Sequence, residues 1–248
     1  MNSHTLHVNP PATSLPHRNI EVSRYFHWKG HSGRFIAAVL LVFFSPLILF
    51  LMALVKLTSR GPAIYHQSRL GLRGKEFKIL KLRTMTVNAE SESGAVWAKP
   101  NDPRITWLGY YLRKLHLDEF PQLVNVVRSD MALVGPRPER KVFVEQLKEE
   151  VPSYLERLKV APGVTGLAQV NLPPDLETEH VRKKLALDLE YIETANTSMD
   201  VRILGCTCLR LFGLSGYRAA RLCGVGRIVN EFPEEAPEQQ AEIPRRAK

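Results

Sequence analysis

Cysteine is scarce in this chain, three in 248 residues, and Cys206, Cys208 and Cys223 are odd in number and late. That argues against a disulfide framework, and no His or Cys stands near them at a zinc-ligand spacing. They read as reduced, partly buried thiols in a reducing compartment. Histidine is no better placed for a metal. Four of the eight lie in the first 30 residues, and none forms a helical pair with a carboxylate at ligand spacing. Acid is also in short supply, 25 Asp and Glu against 34 Lys and Arg, a net charge of +9. An anionic partner follows: nucleic acid, anionic lipid headgroups or phosphorylated substrates, and charge alone does not choose among them. A hydrophobic content of 44% excludes a wholly disordered protein and suits one well-filled domain with appendages.

The most consequential absence is of charge between Phe35 and Val55, FIAAVLLVFFSPLILFLMALV, where Ser45 is the only polar side chain. Its 21 residues would make roughly 31 Å of helix, enough to cross a hydrocarbon core. Pro46 removes one backbone hydrogen bond, and Ser45 beside it can satisfy the freed carbonyl, so the reading is a helix broken near its middle. Arg18, Arg24, Lys29 and Arg34 against Glu21 give the preceding flank +3, and Lys56, Arg60, Arg69 and Arg73 follow the segment. Both flanks ask to be cytoplasmic, which favours a re-entrant helix over a straight span. No small-residue cleavage site follows Val55, which argues against a cleaved signal peptide.

The architecture expected is α+β: a disordered leader over 1–30, a re-entrant membrane helix over 31–57, a mostly helical cytoplasmic domain with a small β-hairpin over 58–230, and a disordered tail over 231–248. Ala63–Gln67 and Glu76–Leu82 read as strands about a glycine turn, Gly71–Gly74. Helical periodicity begins soon after Asp102-Pro103, and Gln122–Val127, Lys141–Glu150 and Leu176–Thr194 read as helices, with Met131–Val134 a brief strand. The stretch Val201–Val229 is either a basic amphipathic surface for an anionic membrane face or an ordinary core-facing helix with a solvated basic side.

The run Leu117-Asp118-Glu119-Phe120-Pro121-Gln122-Leu123 sets two carboxylates before a proline that can open the next helix. The dipole of that helix makes the corner attractive to anions. Arg113-Lys114 lies just upstream, and Gly135-Pro136-Arg137-Pro138-Glu139-Arg140 just downstream is a stiff turn that presents arginines. Carboxylates bracketed by arginines suggest phosphate chemistry. Blander readings stay open for each: the acids as dipole-favoured N-terminal charges, Arg113 as a solvated helix residue, Arg137 as a turn cap, and Lys81 and Arg83 as the wet face of a strand.

From about Lys29 to about Leu214 the chain resembles the bacterial sugar transferases, the small monotopic polyprenyl-phosphate phosphoglycosyl transferases. The ordered motifs that carry the resemblance are Ser45-Pro46, Tyr65 to Phe77, Lys81-Leu82-Arg83-Thr84-Met85, Asp102-Pro103-Arg104-Ile105-Thr106, Leu112-Arg113-Lys114, Asp118-Glu119, Asn125-Val126-Val127, Asp130-Met131, Gly135-Pro136-Arg137-Pro138-Glu139, Pro162 to Gly166 and Ala168-Gln169-Val170-Asn171. It implies transfer of a sugar 1-phosphate from a nucleotide diphosphate sugar, usually a UDP-sugar, to polyprenyl (undecaprenyl) phosphate, releasing UMP. It further implies Asp118 as the nucleophile of a covalent phosphosugar intermediate, Glu119 as the Mg2+ ligand, Arg113 on the phosphates, Arg137 seating the nucleotide sugar, with Lys81 and Arg83 as further phosphate contacts, and Ser45-Pro46 as the helix-breaking pair. The implied partners are the nucleotide sugar, the polyprenyl phosphate and the cytoplasmic face of a bacterial inner membrane, with no nucleic acid and with a homodimer left open. Phe120, Ser129, His116-Leu117 and Leu172-Pro173-Pro174-Asp175 depart from the family's usual residues. An Asp with an ordinary pKa near 3.9 would be ionised at neutral pH and needs no base to attack phosphorus. Two rivals remain: a membrane-tethered basic scaffold for nucleic acid or anionic lipid, and a lipid-linked diphosphate hydrolase that transfers to water.

Overall fold

The uncharged run forms the centre of a much longer helix. In the computed structural model, which describes residues 7–8, 20–87, 89, 102–151, 153–172 and 178–229, helix α1 extends from Tyr25 to Thr58. Ala37, Ile48, Leu51 and Val55 are buried on one side of it, with Leu40, Leu41 and Phe44 packed beside them. These positions recur at 3.6-residue spacing, so a single stripe faces the domain along the helix. Phe35, Val42, Phe43 and Phe50 point outward, and Val42 is 75% exposed.

Helical structure continues through Pro46, where the sequence suggested a break. Proline cannot donate to the carbonyl of Val42, four residues back. The Ser45 hydroxyl donates to that same carbonyl at 2.8 Å, so the defect is one repaired hydrogen bond. A second correction concerns residues 20–30, expected within a disordered leader. Ile20 is buried, and α1 already begins at Tyr25. Lys29 pairs with Asp200 at 2.8 Å, reaches the Tyr191 hydroxyl, and lies over the rings of Tyr25, Phe26 and Tyr191. The hydroxyls of Tyr25 and Tyr191 donate to the same carboxylate, at 2.9 and 2.5 Å. The rest of the expected leader, apart from residues 7–8, and the expected tail over 231–248 lie outside the described residues.

Strand β1 (His7–Val8) pairs in parallel with β6 (Ile228–Val229). Strands β2 (Ile64–Leu70) and β3 (Glu76–Leu82) form the anticipated antiparallel hairpin, Ile64 opposite Leu82. Helix α2 (Trp107–Lys114) is capped by Thr106, whose hydroxyl accepts from the Gly109 N–H at 3.0 Å. Helix α3 (Gln122–Val127) and α4 (Lys141–Glu150) have the limits read from sequence, and β4 (Ala132–Val134) lies between them. Strand β5 (Gly163–Thr165), parallel to β4, and helix α5 (Leu167–Asn171) were not anticipated. Helices α6 (Thr178–Thr194), α7 (Thr197–Leu211) and α8 (Gly216–Leu222) complete the domain.

The largest apolar cluster joins the middle of α1 to α3, β4, α5 and the helices α6 to α8. A smaller one locks the last turns of α1 to Leu82 and to Leu112 of α2. The stretch Val201–Val229 belongs to this packing: Ile203, Cys206, Ala219 and Ala220 are buried. Two of its arginines are tied inward, Arg210 to the Gln169 carbonyl at 2.7 Å and Arg227 to Glu190 at 2.7 Å. One side of the stretch is therefore core-facing, while Phe212 and Leu222 on its outer side are exposed. The departure at Leu172-Pro173-Pro174-Asp175 lies, beyond Leu172, outside the described residues.

Candidate active site

Three elements converge on the carboxylate pair. Helix α2 ends at Lys114, and the chain turns at His116, which takes the left-handed conformation at φ 53. A short 3-10 turn over Leu117–Glu119 carries Asp118 and Glu119, and Pro121 and α3 follow at once. Strand β3 supplies Lys81, and the Gly-Pro-Arg-Pro turn after β4 supplies Arg137.

The two acids are held differently. Glu119 Oε1 accepts from Lys81 Nζ at 2.8 Å and from Arg137 Nη2 at 2.7 Å, and its Oε2 from Arg137 Nη1 at 3.5 Å. Burial alone would raise its pKa, but Arg137 and Lys81 outweigh that and hold Glu119 well below the ordinary carboxylate range. Asp118 is 7% exposed, and no hydrogen bond or ion pair fixes it among the described residues. Burial, aided by the negative charge of Glu119, moves it from an ordinary 3.8 to about 6 against the pull of Lys81, Arg113 and Arg137. The expectation of an unperturbed Asp118 is thus corrected, although at pH 7 roughly nine-tenths of it is still ionised. A tethered carboxylate beside a free one is a division of labour: one organises charge, and the other can move and react.

The surroundings are built to keep this arrangement still. Asn125 of α3 is fully buried; it accepts from the Leu80 N–H at 3.0 Å and donates to the Lys78 carbonyl at 2.8 Å, which fixes α3 against β3 and so the acids against Lys81. Arg113 donates from Nε to the Thr84 hydroxyl at 2.9 Å and adds to the positive potential at Asp118. Gly109 lets α2 approach the end of β3, because a Cβ there would stand 2.1 Å from the Thr84 carbonyl oxygen. Behind Arg137, the buried Arg157 donates to its carbonyl at 2.9 Å and pairs with Asp188 at 2.7 Å. Glu139, two residues on, is gripped by Lys184 at 2.7 Å and Arg69 at 3.3 Å.

The structure therefore brings Asp118, Glu119, Lys81, Arg113 and Arg137 together. Arg83 is not part of this group. Strand β3 ends at Leu82, the Arg83 N–H bonds the Ala63 carbonyl, and its guanidinium turns to Ser59 at the end of α1, at 2.7 and 2.9 Å. Only Nη2 makes that tie to the end of α1; Nε and Nη1 are buried without a hydrogen-bond partner among the described residues. Ser45 and Pro46 lie within α1, where they act on its backbone and not on the acids. The supports Asn125, Thr84, Arg157 and Asp188 were not singled out from sequence. Asn125, Thr84, Glu139 and Arg69 stand inside the ordered motifs, whereas Arg157 and Asp188 carried no local signal.

Two oxygen donors side by side suit Mg2+, which takes one or two carboxylates, keeps several waters and completes its shell with substrate phosphate. Asp118 is unanchored, and Glu119 Oε2 has only a long contact, so both retain lone pairs for such an ion. No group of three or more His, Cys, Asp or Glu among the described residues is arranged to hold a metal by itself.

The structure thus joins a helix long and apolar enough to cross a membrane to a domain whose buried carboxylate pair is ringed by cations. The family model for bacterial sugar transferases matches residues 25–213, and the chain belongs to that family. It is 41% identical over 170 residues to the UDP-N-acetylgalactosamine-undecaprenyl-phosphate N-acetylgalactosaminephosphotransferase of Aeromonas hydrophila, covering 68% of this chain and 40% of that one. It is 43% identical over 170 residues to the UDP-glucose:undecaprenyl-phosphate glucose-1-phosphate transferase of Caulobacter vibrioides, covering 68% and 63%. The protein of the latter name from Escherichia coli is 38% identical over 179 residues, covering 71% and 38%. The chain thus spans less than two thirds of the length of these relatives.

Proposed function

We propose that this protein transfers a sugar 1-phosphate from a UDP-sugar to undecaprenyl phosphate on the cytoplasmic face of a bacterial inner membrane, releasing UMP and starting a lipid-linked glycan. The observation that carries the mechanism is the unequal pair: Glu119 clamped by Lys81 and Arg137, Asp118 buried, unclamped and still mostly ionised. An Asp118 carboxylate oxygen attacks the phosphorus that bears the sugar. The bond from that phosphorus to the bridging oxygen breaks, and UMP leaves with the electron pair. The acceptor's phosphate oxygen then attacks the same phosphorus and returns Asp118 as a free carboxylate. Both steps push an anion onto a phosphate, and Arg113, Arg137 and Lys81 lower that repulsion before the chemistry begins. Mg2+, held by Glu119 with Asp118 at its edge, would supply Lewis-acid neutralisation of diphosphate charge. The relatives are named for different sugars, so the sugar is read from experiment.

Membrane placement follows from α1. Its inward stripe meets the domain from Tyr25 to Val55, so a perpendicular crossing would drag α3 and β4 into hydrocarbon. We take α1 to lie along one leaflet with both ends on the cytoplasmic side, in keeping with its two basic flanks. The covalent step is tested by intact-protein mass after incubation with a UDP-sugar and Mg2+ but no lipid acceptor. Wild type gains one phosphosugar and Asp118→Asn gains none; a gain in both, or in neither when UMP is nevertheless released, contradicts the covalent route. The hydrolase alternative would instead release free sugar phosphate into water.

A further inference from the structure

Away from the carboxylate pair, a cleft of about 720 Å³ opens between the first turns of α1, the end of α3 with β4, the β2–β3 turn and α7. That volume is in the range of small-molecule sites, and neither Asp118 nor Glu119 lines it. Its floor is apolar, with Val126, Met131, Leu133 and Leu204, and the exposed Val201 stands at its rim. Its charge is one-sided: Lys29, Arg34, Arg73 and Lys159 face Asp200 as the single carboxylate among the described lining residues. Two of the cations are already neutralised, Lys29 by Asp200 at 2.8 Å and Lys159 by Glu156 at 2.6 Å. Among the described residues Arg34 is bound only to Ser129 Oγ at 3.1 Å and His31 Nδ1 at 2.7 Å, and Arg73 sits on a left-handed turn at φ 56. Neither has a carboxylate partner among the described residues.

Two uncompensated guanidiniums over an apolar floor match an amphiphile with an anionic head. The mouth indicates where such a molecule comes from. Ile36 lines the cleft and is 45% exposed, and it adjoins Phe35 on the outward face of α1. The cleft is thereby continuous with the surface that meets lipid, and a soluble anion would leave its floor unfilled. We propose that this cleft holds one anionic phospholipid of the bilayer, its phosphate at Arg34 and Arg73 and an acyl chain along the floor, a bound lipid that is not consumed. The proposal rests on α1 meeting the membrane and is independent of the transfer reaction.

The test uses the full chain, delipidated in neutral detergent and titrated with phosphatidylglycerol carrying a photoreactive group in one acyl chain. Saturable labelling of residues 126–134 at one equivalent is expected, weakened at least tenfold in Arg34→Gln/Arg73→Gln. Val201→Trp, which narrows the mouth and leaves every cation in place, should weaken it to a similar degree. Labelling at Phe43 and Phe50 should persist in every variant and reports contact of α1 with lipid separately. Equal labelling of 126–134 by phosphatidylcholine would overturn the proposal, as would displacement by glycerol 3-phosphate at concentrations equivalent to the lipid, or survival in the variants. Absence of labelling at Phe43 and Phe50 in wild type would overturn the membrane placement and the proposal with it.

Discussion

Replacing Asp118 by Asn should make the protein more stable while abolishing its activity. Burial displaces the Asp118 equilibrium from 3.8 to about 6. At about 1.4 kcal/mol for each tenfold in an equilibrium constant, holding the charged form in the fold costs about 3 kcal/mol at neutral pH. The sign follows from the direction of the displacement. A carboxyl whose folded pKa is raised favours the fold when protonated, so its penalty is absent below about pH 4, grows between about 4 and 6, and is complete above 6. Asparagine is never charged and escapes it, apart from what its own amide loses on burial. For a domain of this size about 3 kcal/mol corresponds to a rise in Tm of roughly 6–12 °C. Thermal unfolding in detergent at pH 7.5 and at pH 4 is the assay, with the gain expected at the first and absent at the second. A Tm that falls at pH 7.5, or a gain of equal size at both pH values, would refute the claim that the acid is held ionised at a cost. A reactive group kept under strain where a relaxed one would be more stable is the usual trade at a catalytic centre.

Glu119→Gln should leave the protein folded but weaken its response to Mg2+, so that activity saturates at a higher metal concentration; an unchanged metal titration removes Glu119 as a ligand. Lys29→Met leaves the buried Asp200 charge with the hydroxyls of Tyr25 and Tyr191 but no cation, and the loss should be about 3 kcal/mol, read as a lower Tm, whereas no change would mean that the pair does not bind α1 to the domain. Cysteines placed at the exposed positions 21 and 62 should be labelled from the same side of sealed membrane vesicles, and labelling from opposite sides would exclude this placement of α1.

Much of this molecule could be read from its sequence because the signals were local. The limits of α3 and α4 follow from Pro121 and from helical periodicity, and the hairpin from alternation about Gly71–Gly74. The uncharged run marked α1, and the carboxylate pair stood out against its arginines. What escaped was long-range. Tyr25, Phe26 and Lys29 sit in a segment rich in Pro and His, yet they fold because Tyr191 and Asp200, more than 160 residues away, complete the hydrogen bonds of Tyr25 and Lys29, and Tyr191 packs against the Phe26 ring. Pro46 was read as a break by the rule for an isolated helix, but the Ser45 hydroxyl supplies the missing donor. Arg83 shares the alternation of Lys81 but lies one residue past the strand, where direction is set by Ser59 and not by the pleat. The raised pKa of Asp118 is a property of burial that no spacing of residues reveals.

The most direct measurement is UMP release from a panel of UDP-sugars by membrane-extracted protein with Mg2+ and undecaprenyl phosphate, wild type beside Asp118→Asn. Release with one sugar in wild type and none in the variant is the predicted result, and it identifies the donor as well. Release that persists in Asp118→Asn, or that continues beyond one equivalent per protein without undecaprenyl phosphate, would contradict the account.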